Sequence, residues 1–251
     1  MAHSMDINRI LAGALDTETY NEQHWQGSFA DYLAIVEENP MVVRSAHQRL
    51  HDMVLSYGVE EVEIDRDKIT HYKFFDDPID NGEDGLYGLD RSLMSLMKVM
   101  KAAAHGYGPE RRVLLLHGPV GSSKSTIARM LKKGLEVYSR SDEGALYTFS
   151  WRVGNELIPS PMNEEPLLLI PERAREEILA TLNKKARCTY KLRANSNLSP
   201  VSRYYMDHFL EKFDGDLARV LEQVVVHRLI ISEDDRIGIG TFQPKDEKNQ
   251  D

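Results

Sequence analysis

The residues with the clearest chemical signature are 117–126, which read HGPVGSSKST and directly follow the apolar run VLLL. Gly118, Lys124 and Ser125 have the spacing G-x5-K-[ST]. A glycine-rich turn of this kind, where it joins a strand to a helix, gathers backbone N–H groups and a helix N-terminus around a phosphate. Ser123 departs from the usual pattern, which has a second glycine at that position. The sequence therefore predicts a phosphate-binding loop with one unusual member.

Three side chains of the loop are predicted to contact a nucleotide. Lys124, which we expect to be unpaired within the chain, supplies a cation for the β- and γ-phosphates and is the predicted catalytic residue. The Ser125 hydroxyl can ligate Mg²⁺, and Thr126 lies where the α-phosphate would pass. A positive φ at Ser123 would cost about 1–2 kcal/mol, and Gly121 can take up part of the turn. The predicted cofactors are ATP and Mg²⁺.

The context of the loop favours nucleotide binding over the alternative, a strand-to-helix turn with an incidental lysine. Residues 112–117 contain four consecutive apolar residues, which is typical of a parallel strand buried on both faces. After the loop, one face of a predicted helix carries Ile127, Met130, Leu131 and Leu135. Residues 146–151 alternate in polarity and predict the next strand. Together these segments predict a βαβ unit with a right-handed crossover.

The rest of the chain is predicted to divide at about residue 75. Residues 1–75 are predicted to form an N-terminal helical region, because 28–36 and 41–57 carry apolar residues at helical spacing. The acidic stretch FFDDPIDNGEDG at 74–85 has the composition of a surface connector.

Residues 76–251 are predicted to form the nucleotide-binding domain. Its first helix starts at Asp90, which can cap it, and ends at Gly106. Its closing segment, VVVHRLIISEDDRIGIGTF, is predicted to form a β-hairpin that turns at 232–235. The predicted fold class is α/β: a P-loop NTPase with a parallel sheet and flanking helices, preceded by the helical region and ending in the hairpin.

ATP turnover also needs an acidic residue at a strand end to hold Mg²⁺. The nearest match is RLIISEDD at 228–235, but Ser232 intervenes before Glu233, and charged residues are common at hairpin tips. Glu164 and Glu165 precede an apolar run and are more typical of solvated loop acids. The acid is therefore predicted to lie outside this sequence. A eukaryotic-type protein kinase is excluded, because the motifs G-x-G-x-x-G-x-V, H-R-D and D-F-G do not occur.

The bulk composition excludes several classes of partner. The net charge of −9 is spread along the chain, which argues against nucleic-acid binding through a basic surface. No apolar run approaches the roughly 18 residues that span a bilayer, so no membrane association is expected. Cys188 is the only cysteine, which favours a reducing compartment and a cytoplasmic location.

Five stretches of the sequence resemble the PrkA-type bacterial serine protein kinases, which carry an AAA+ ATPase domain. The stretches are WQGSFADYLAIVEENP, YGLDRSLMSLMKVMKAAAHG, HGPVGSSKST, NEEPLLLIPE and RIGIGTFQPKDEKNQD. The resemblance runs from about Asp6 to Asp251 and includes the serine-rich loop, so Ser123 is no sign of a decayed site.

This resemblance implies an AAA+-like fold, ATP-dependent phosphorylation of a protein substrate on serine, and assembly into homo-oligomers through the AAA+ domain. It also implies that an adenine pocket is formed by Leu86, Tyr87, Gly88 and Leu89. The implied phosphate-binding residues are Gly118, Pro119, Val120, Gly121, Ser122, Ser123, Lys124, Ser125 and Thr126. Members of the family continue past Asp251, and the Mg²⁺-holding acid, the arginine finger and a kinase-like region are expected in that continuation.

Two other functions remain open at the level of sequence. One is an AAA+ ATPase that remodels partner proteins or assists their proteolysis without kinase chemistry. The other is a catalytically silent module that senses nucleotide.

Overall fold

The computed structural model describes residues 20–240 except positions 21, 65 and 187, and its strands form two antiparallel sheets. The strands are β1 (Gln26–Ser28), β2 (Val59–Ile64), β3 (Asp67–Tyr72), β4 (Tyr147–Val153), β5 (Glu156–Pro159) and β6 (Val224–Arg228). The larger sheet has the order β1-β6-β4-β5, and β2 pairs with β3 in a separate ribbon. All of these pairings are antiparallel.

Short polar residues define the ends of several helices. The α-helices are α1 (Phe29–Glu38), α2 (Ala46–Ser56), α3 (Asp90–His105), α4 (Lys124–Arg140), α5 (Glu172–Lys185), α6 (Pro200–Lys212) and α7 (Leu217–Leu221). Ser28 and Ser45 each form a capping box at the start of α1 and α2. Gly106 ends α3 in the left-handed conformation, at φ 72°. The helices predicted at 28–36 and 41–57 are present, although α2 starts at Ala46 because Pro40–Val43 forms a 3₁₀ turn.

Two apolar clusters form the core of the described residues. One packs against the sheet and includes Phe29, Phe149 and Val226. The other lies among α2, α3 and α4 and includes Met53 and Met97. Both clusters draw residues from either side of position 75, and the division into 1–75 and 76–251 stays a prediction; its first 19 residues lie outside the described part.

The predicted parallel sheet is wrong for the part of the chain that the structure describes. Residues 112–117, predicted as a buried strand, form no strand, and Val113 and Leu115 are 94% and 84% exposed. The physical reason lies in strand pairing. β4 carries β5 on one edge and β6 on the other, so it offers no free edge to a parallel neighbour. The predicted βαβ unit therefore does not form, although α4 and β4 are both present.

The closing segment turns at the predicted place but does not form the predicted hairpin. Ser232 and Ile237 exchange two backbone hydrogen bonds, of 3.1 and 2.9 Å, around a tight turn. β6 pairs with β1 and β4 rather than with the residues after this turn. The end of the predicted hairpin, beyond residue 240, lies outside the described residues.

Candidate nucleotide-binding site

The predicted phosphate loop is a tight left-handed turn that leads into α4. Gly121 has φ 81° and Ser123 has φ 57°, so both residues reverse the chain before the helix starts at Lys124. Ser123 thus adopts the strained conformation that its position requires, at a cost of about 1–2 kcal/mol. Gly118 is also restricted, because an added Cβ would lie 2.8 Å from Ser122 Oγ. The loop therefore forms a tight turn into the start of α4 although it lacks the second glycine.

The Lys124 side chain folds back across this turn. Its ammonium donates to the carbonyl oxygens of Gly118 (2.9 Å) and Pro119 (2.5 Å) and contacts Ser122 Oγ at 2.9 Å. The expectation that Lys124 is unpaired within the chain is therefore wrong, because loop carbonyls point into the turn and accept its protons. The contacts hold a positive charge over the loop, where a phosphate oxygen can replace one of the acceptors.

The start of α4 adds further donors beside this charge. The first N–H groups of any helix lack intrahelical partners, and Lys124, Ser125 and Thr126 occupy that turn. The first turn contains no acidic residue, so the partial positive charge of the helix end is not neutralised there. Ser125 is exposed and Thr126 is partly buried. A polyphosphate can therefore approach the helix end, and the Ser125 hydroxyl is open to a metal ion.

The described residues supply little else to hold Mg²⁺. They contain no group of three or more His, Cys, Asp or Glu side chains that could bind a metal ion. Glu233, the acid of the RLIISEDD look-alike, lies in the turn at 232–237 and forms an ion pair with Lys132. The turn interpretation of that segment is consistent with this position. Ser125, together with phosphate oxygens, remains the donor that fits the metal.

The segment predicted to bind adenine, Leu86–Leu89, is anchored at its start and exposed in its middle. The Leu86 side chain is buried, and its N–H donates to Phe75 O at 2.8 Å. Leu86 belongs to the same apolar cluster as Ile127 of α4. Tyr87 is 78% exposed, and Gly88 has φ 72°. The segment thus presents an aromatic ring to solvent from a backbone that is fixed at Leu86.

A histidine fixes the other end of this segment. Asp90, the first residue of α3, lies 2.6 Å from His71 Nδ1, and Asp76 lies 2.9 Å from His71 Nε2. The hydrogen bonds to Asp90 and then Asp76 raise the pKa of His71 above its usual value. The His71 ring therefore joins the ribbon strand β3 to the start of α3.

The acidic stretch, interpreted from sequence as a surface connector, makes contacts that sequence reasoning missed. Arg129 of α4 forms a fork with the carboxylate of Asp84, and Lys133 pairs with Asp80. The available signal was a cluster of acids in one loop and two cations four residues apart on one helix. Neither pattern alone identifies its partner, because 45 residues separate Arg129 from Asp84.

Glu164 and Glu165 are not the solvated acids that the sequence favoured. The Glu164 carboxylate is buried and accepts hydrogen bonds from three serine hydroxyls, those of Ser160, Ser199 and Ser202. Glu165 accepts a hydrogen bond from the Tyr32 hydroxyl. Burial raises the pKa of Glu165 to about 7, although the Tyr32 hydrogen bond acts in the opposite direction. Both carboxylates line a cavity of about 510 Å³ whose lining residues do not include the phosphate loop.

The chain is similar to several known proteins. A family model described as the PrkA AAA domain matches residues 27–251. The chain is 39% identical over 239 residues to the "ATP-dependent protease PrkA" of Bacillus subtilis (strain 168), covering 93% of this chain and 32% of that protein. It is 27% identical over 168 residues to the "Serine/threonine kinase YeaG" of Escherichia coli (strain K12), covering 66% of this chain and 22% of that protein. No solved structure matches the chain.

These matches define an AAA-type domain, a class that uses ATP. More particularly, the chain belongs to the PrkA AAA domain family. It spans about a third of the length of the Bacillus relative. Among the described residues, no helix combines the length and the apolar character that crossing a membrane would require.

Proposed function

We propose that this domain binds ATP with Mg²⁺ in the loop Gly118–Thr126. The observation that carries the proposal is the position of the Lys124 ammonium, 2.9 Å from Gly118 O and 2.5 Å from Pro119 O, at the mouth of a left-handed turn that opens α4. A cation, a set of free backbone N–H groups and a helix N-terminus meet at this point, and each of them favours a phosphate group.

Each residue of the loop has a role in this proposal. Lys124 neutralises charge on the β- and γ-phosphates, and the first N–H groups of α4 bind the phosphate oxygens. Ser125 supplies a hydroxyl to Mg²⁺, and Thr126 lies along the path of the α-phosphate. Mg²⁺, when bound, neutralises the charge that develops on the phosphate oxygens during transfer. Leu86–Leu89 forms one side of the adenine pocket, where the Tyr87 ring can stack on the base.

We further propose that the bound ATP serves phosphorylation of serine in a protein substrate, within a protein longer than this chain. The name of the Escherichia coli relative, a serine/threonine kinase, supports this use. An assembly of several copies through this domain and a cytoplasmic location belong to the same proposal. The single cysteine of the chain agrees with a reducing compartment.

The main alternative is an ATPase that drives proteolysis of partner proteins. It is favoured by the name of the Bacillus relative, an ATP-dependent protease, which is also the more similar of the two relatives. In that case ATP turnover transfers no phosphate to protein. A silent nucleotide-sensing module is the third candidate, and it would bind ATP without any turnover.

The binding proposal is tested by titrating the chain with a fluorescent ATP analogue in the presence and absence of Mg²⁺. We expect Lys124→Ala to reduce affinity by at least tenfold, because a hydrogen bond to a charged group contributes about 1.5–3 kcal/mol. The matched control is Lys184→Ala, which removes an exposed lysine near the end of α5. Equal affinities for wild type and Lys124→Ala would refute the proposal.

The use of ATP is tested on a version that extends past Asp251, with γ-labelled ATP and a panel of unfolded and folded proteins. Label on protein serine supports the kinase. Release of phosphate with loss of intact substrate protein, and without labelled protein, supports the protease. Tight binding with neither product supports the sensing module.

A further inference from the structure

The acidic connector loop, residues 77–85, is fastened to α4 by two ion pairs. Arg129 Nε lies 2.9 Å from Asp84 Oδ2, and Arg129 Nη2 contacts the other oxygen of the same carboxylate, so the pair is bidentate. One turn further along the helix, Lys133 pairs with Asp80. A bidentate pair fixes the orientation of the carboxylate relative to the guanidinium as well as the distance between them. A single contact between charges fixes only the distance. The loop is therefore held in one orientation against one face of α4.

Hydrogen bonds within the connector loop also hold its residues together. The Asp77 carboxylate accepts the N–H groups of Asp84 at 2.9 Å and Asp80 at 3.3 Å. The N–H of Gly82 donates to Asp77 O at 2.8 Å. Asp77 is itself buried, so this carboxylate forms the centre of the loop rather than part of its surface. Because these bonds cross the loop, we expect Asp80 and Asp84 to move together with its end rather than independently of it.

The connector loop and α4 each adjoin one part of the candidate site: the loop adjoins the base-binding segment, and α4 adjoins the phosphate loop. The connector loop ends at Gly85, immediately before the segment Leu86–Leu89. The helix that carries Arg129 starts at Lys124, which is five residues, or about 7.5 Å of helix rise, before Arg129. The hydrogen bonds that Arg129 donates to Asp84 raise the pKa of Arg129, and the hydrogen bond that Lys133 donates to Asp80 raises the pKa of Lys133. Both cations are therefore charged throughout the physiological pH range.

We propose that Arg129, assisted by Lys133, is a positioning residue that sets the placement of the base-binding segment relative to the phosphate loop. The inference rests on the proposed function, since it assumes that Leu86–Leu89 contacts the base and that the loop at Lys124 binds phosphates. Neither cation contacts the nucleotide in this proposal. Loss of the ion pairs therefore weakens recognition of the base and leaves recognition of the phosphate chain intact.

The alternative is that these ion pairs are ordinary surface contacts of α4 and have no role in positioning the base-binding segment. Exposed ion pairs add little to the stability of a fold, so both interpretations expect variants that remain folded. They differ in what they expect of ligands. A purely structural pair changes the affinity for every ligand equally or for none, whereas a positioning pair affects only ligands that carry a base.

The test compares binding of ATP and of inorganic tripolyphosphate, both with Mg²⁺, by isothermal titration calorimetry. Tripolyphosphate reports on the phosphate loop alone, and ATP reports on the loop and the base-binding segment together. We expect Arg129→Ala to weaken ATP binding about two- to fivefold, which is the range of an exposed ion pair, with tripolyphosphate affinity unchanged. Exchange of the charges, Arg129→Asp with Asp84→Arg, is expected to restore part of the ATP affinity.

The matched control is Arg140→Ala, which removes another exposed ion pair of α4, with Glu136, at the far end of the helix. It should change neither affinity. Equal losses for ATP and tripolyphosphate in Arg129→Ala, or no loss for either, would overturn the inference while leaving nucleotide binding established. If the wild-type chain binds neither ligand, the proposed function fails, and the inference fails with it.

Discussion

Replacing Glu165 by glutamine is expected to change how the stability of the domain depends on pH. Glu165 is partly buried beside Tyr32, and burial raises its pKa from 4.5 to about 7. The folded state therefore holds a proton that the unfolded state releases above pH 4.5. The stabilisation from this proton is fully present below pH 4.5 and is lost as the pH rises through 7. Glutamine imitates the protonated acid at every pH, so Glu165→Gln should remove this part of the pH dependence.

The size of the effect follows from the shift in pKa. A change from 4.5 to about 7 corresponds to roughly 3 kcal/mol of unfolding free energy, and the partial exposure of Glu165 makes this an upper value. We therefore expect wild type and Glu165→Gln to have similar stability near pH 4.5. Near pH 8 the variant should be more stable by about 1–3 kcal/mol.

The assay is urea unfolding at several pH values between 4.5 and 8, with the difference between wild type and variant taken at each pH. Taking the difference cancels the titration of all other groups that the substitution does not disturb. Tyr32→Phe is the companion variant. It removes the hydrogen bond that lowers the pKa of Glu165, so the transition should move to a higher pH. A stability difference between wild type and Glu165→Gln that stays constant across this range would refute the reasoning.

Three further substitutions test particular contacts. Ser123→Gly should raise the unfolding free energy by about 1 kcal/mol in urea titrations, because glycine relieves the left-handed strain; no gain would contradict the strain. Gly134→Ala should lower the unfolding free energy by about 1–3 kcal/mol, seen as a lower melting temperature, because the new Cβ would lie 2.7 Å from Phe74. This loss is expected although alanine normally favours a helix. Tyr87→Ala should leave stability within about 0.5 kcal/mol of wild type and weaken ATP binding about five- to a hundredfold, whereas Tyr87→Phe keeps the affinity. Equal affinities for these two variants would exclude stacking.

Local signals in the sequence were enough to predict several helices. Apolar residues at helical spacing predicted helices at 28–36 and 41–57, where α1 and α2 are found. The end of α3 at Gly106 was equally predictable, because it depends on residues close together in the chain. The turn that leads into α4 was predictable for the same reason, since its signal lies in ten consecutive residues, and its role in binding phosphate stays a prediction.

The features that were missed depend on pairings between distant residues. Alternation indicates that a segment is a strand, but it does not say which strand lies beside it. β6 therefore could not be placed between β1 and β4 from its sequence. The same limit applies to Arg129 and Asp84, which meet only because the connector loop folds onto α4. In the site, likewise, the carbonyl partners of Lys124 depend on the closed shape of the turn.

The apolar run at 113–116 is where sequence and structure differ most, and a single substitution distinguishes them. Leu115 is 84% exposed, so Leu115→Ala should change the unfolding free energy by less than about 0.5 kcal/mol. The matched control is Leu167→Ala, in which a fully buried leucine of the sheet core is truncated, and a loss of about 2–5 kcal/mol is expected. Urea unfolding of both variants measures the contrast. If Leu115→Ala lowers the unfolding free energy as much as Leu167→Ala does, the run at 113–116 is buried as the sequence predicts, and the exposed position of these four residues is wrong.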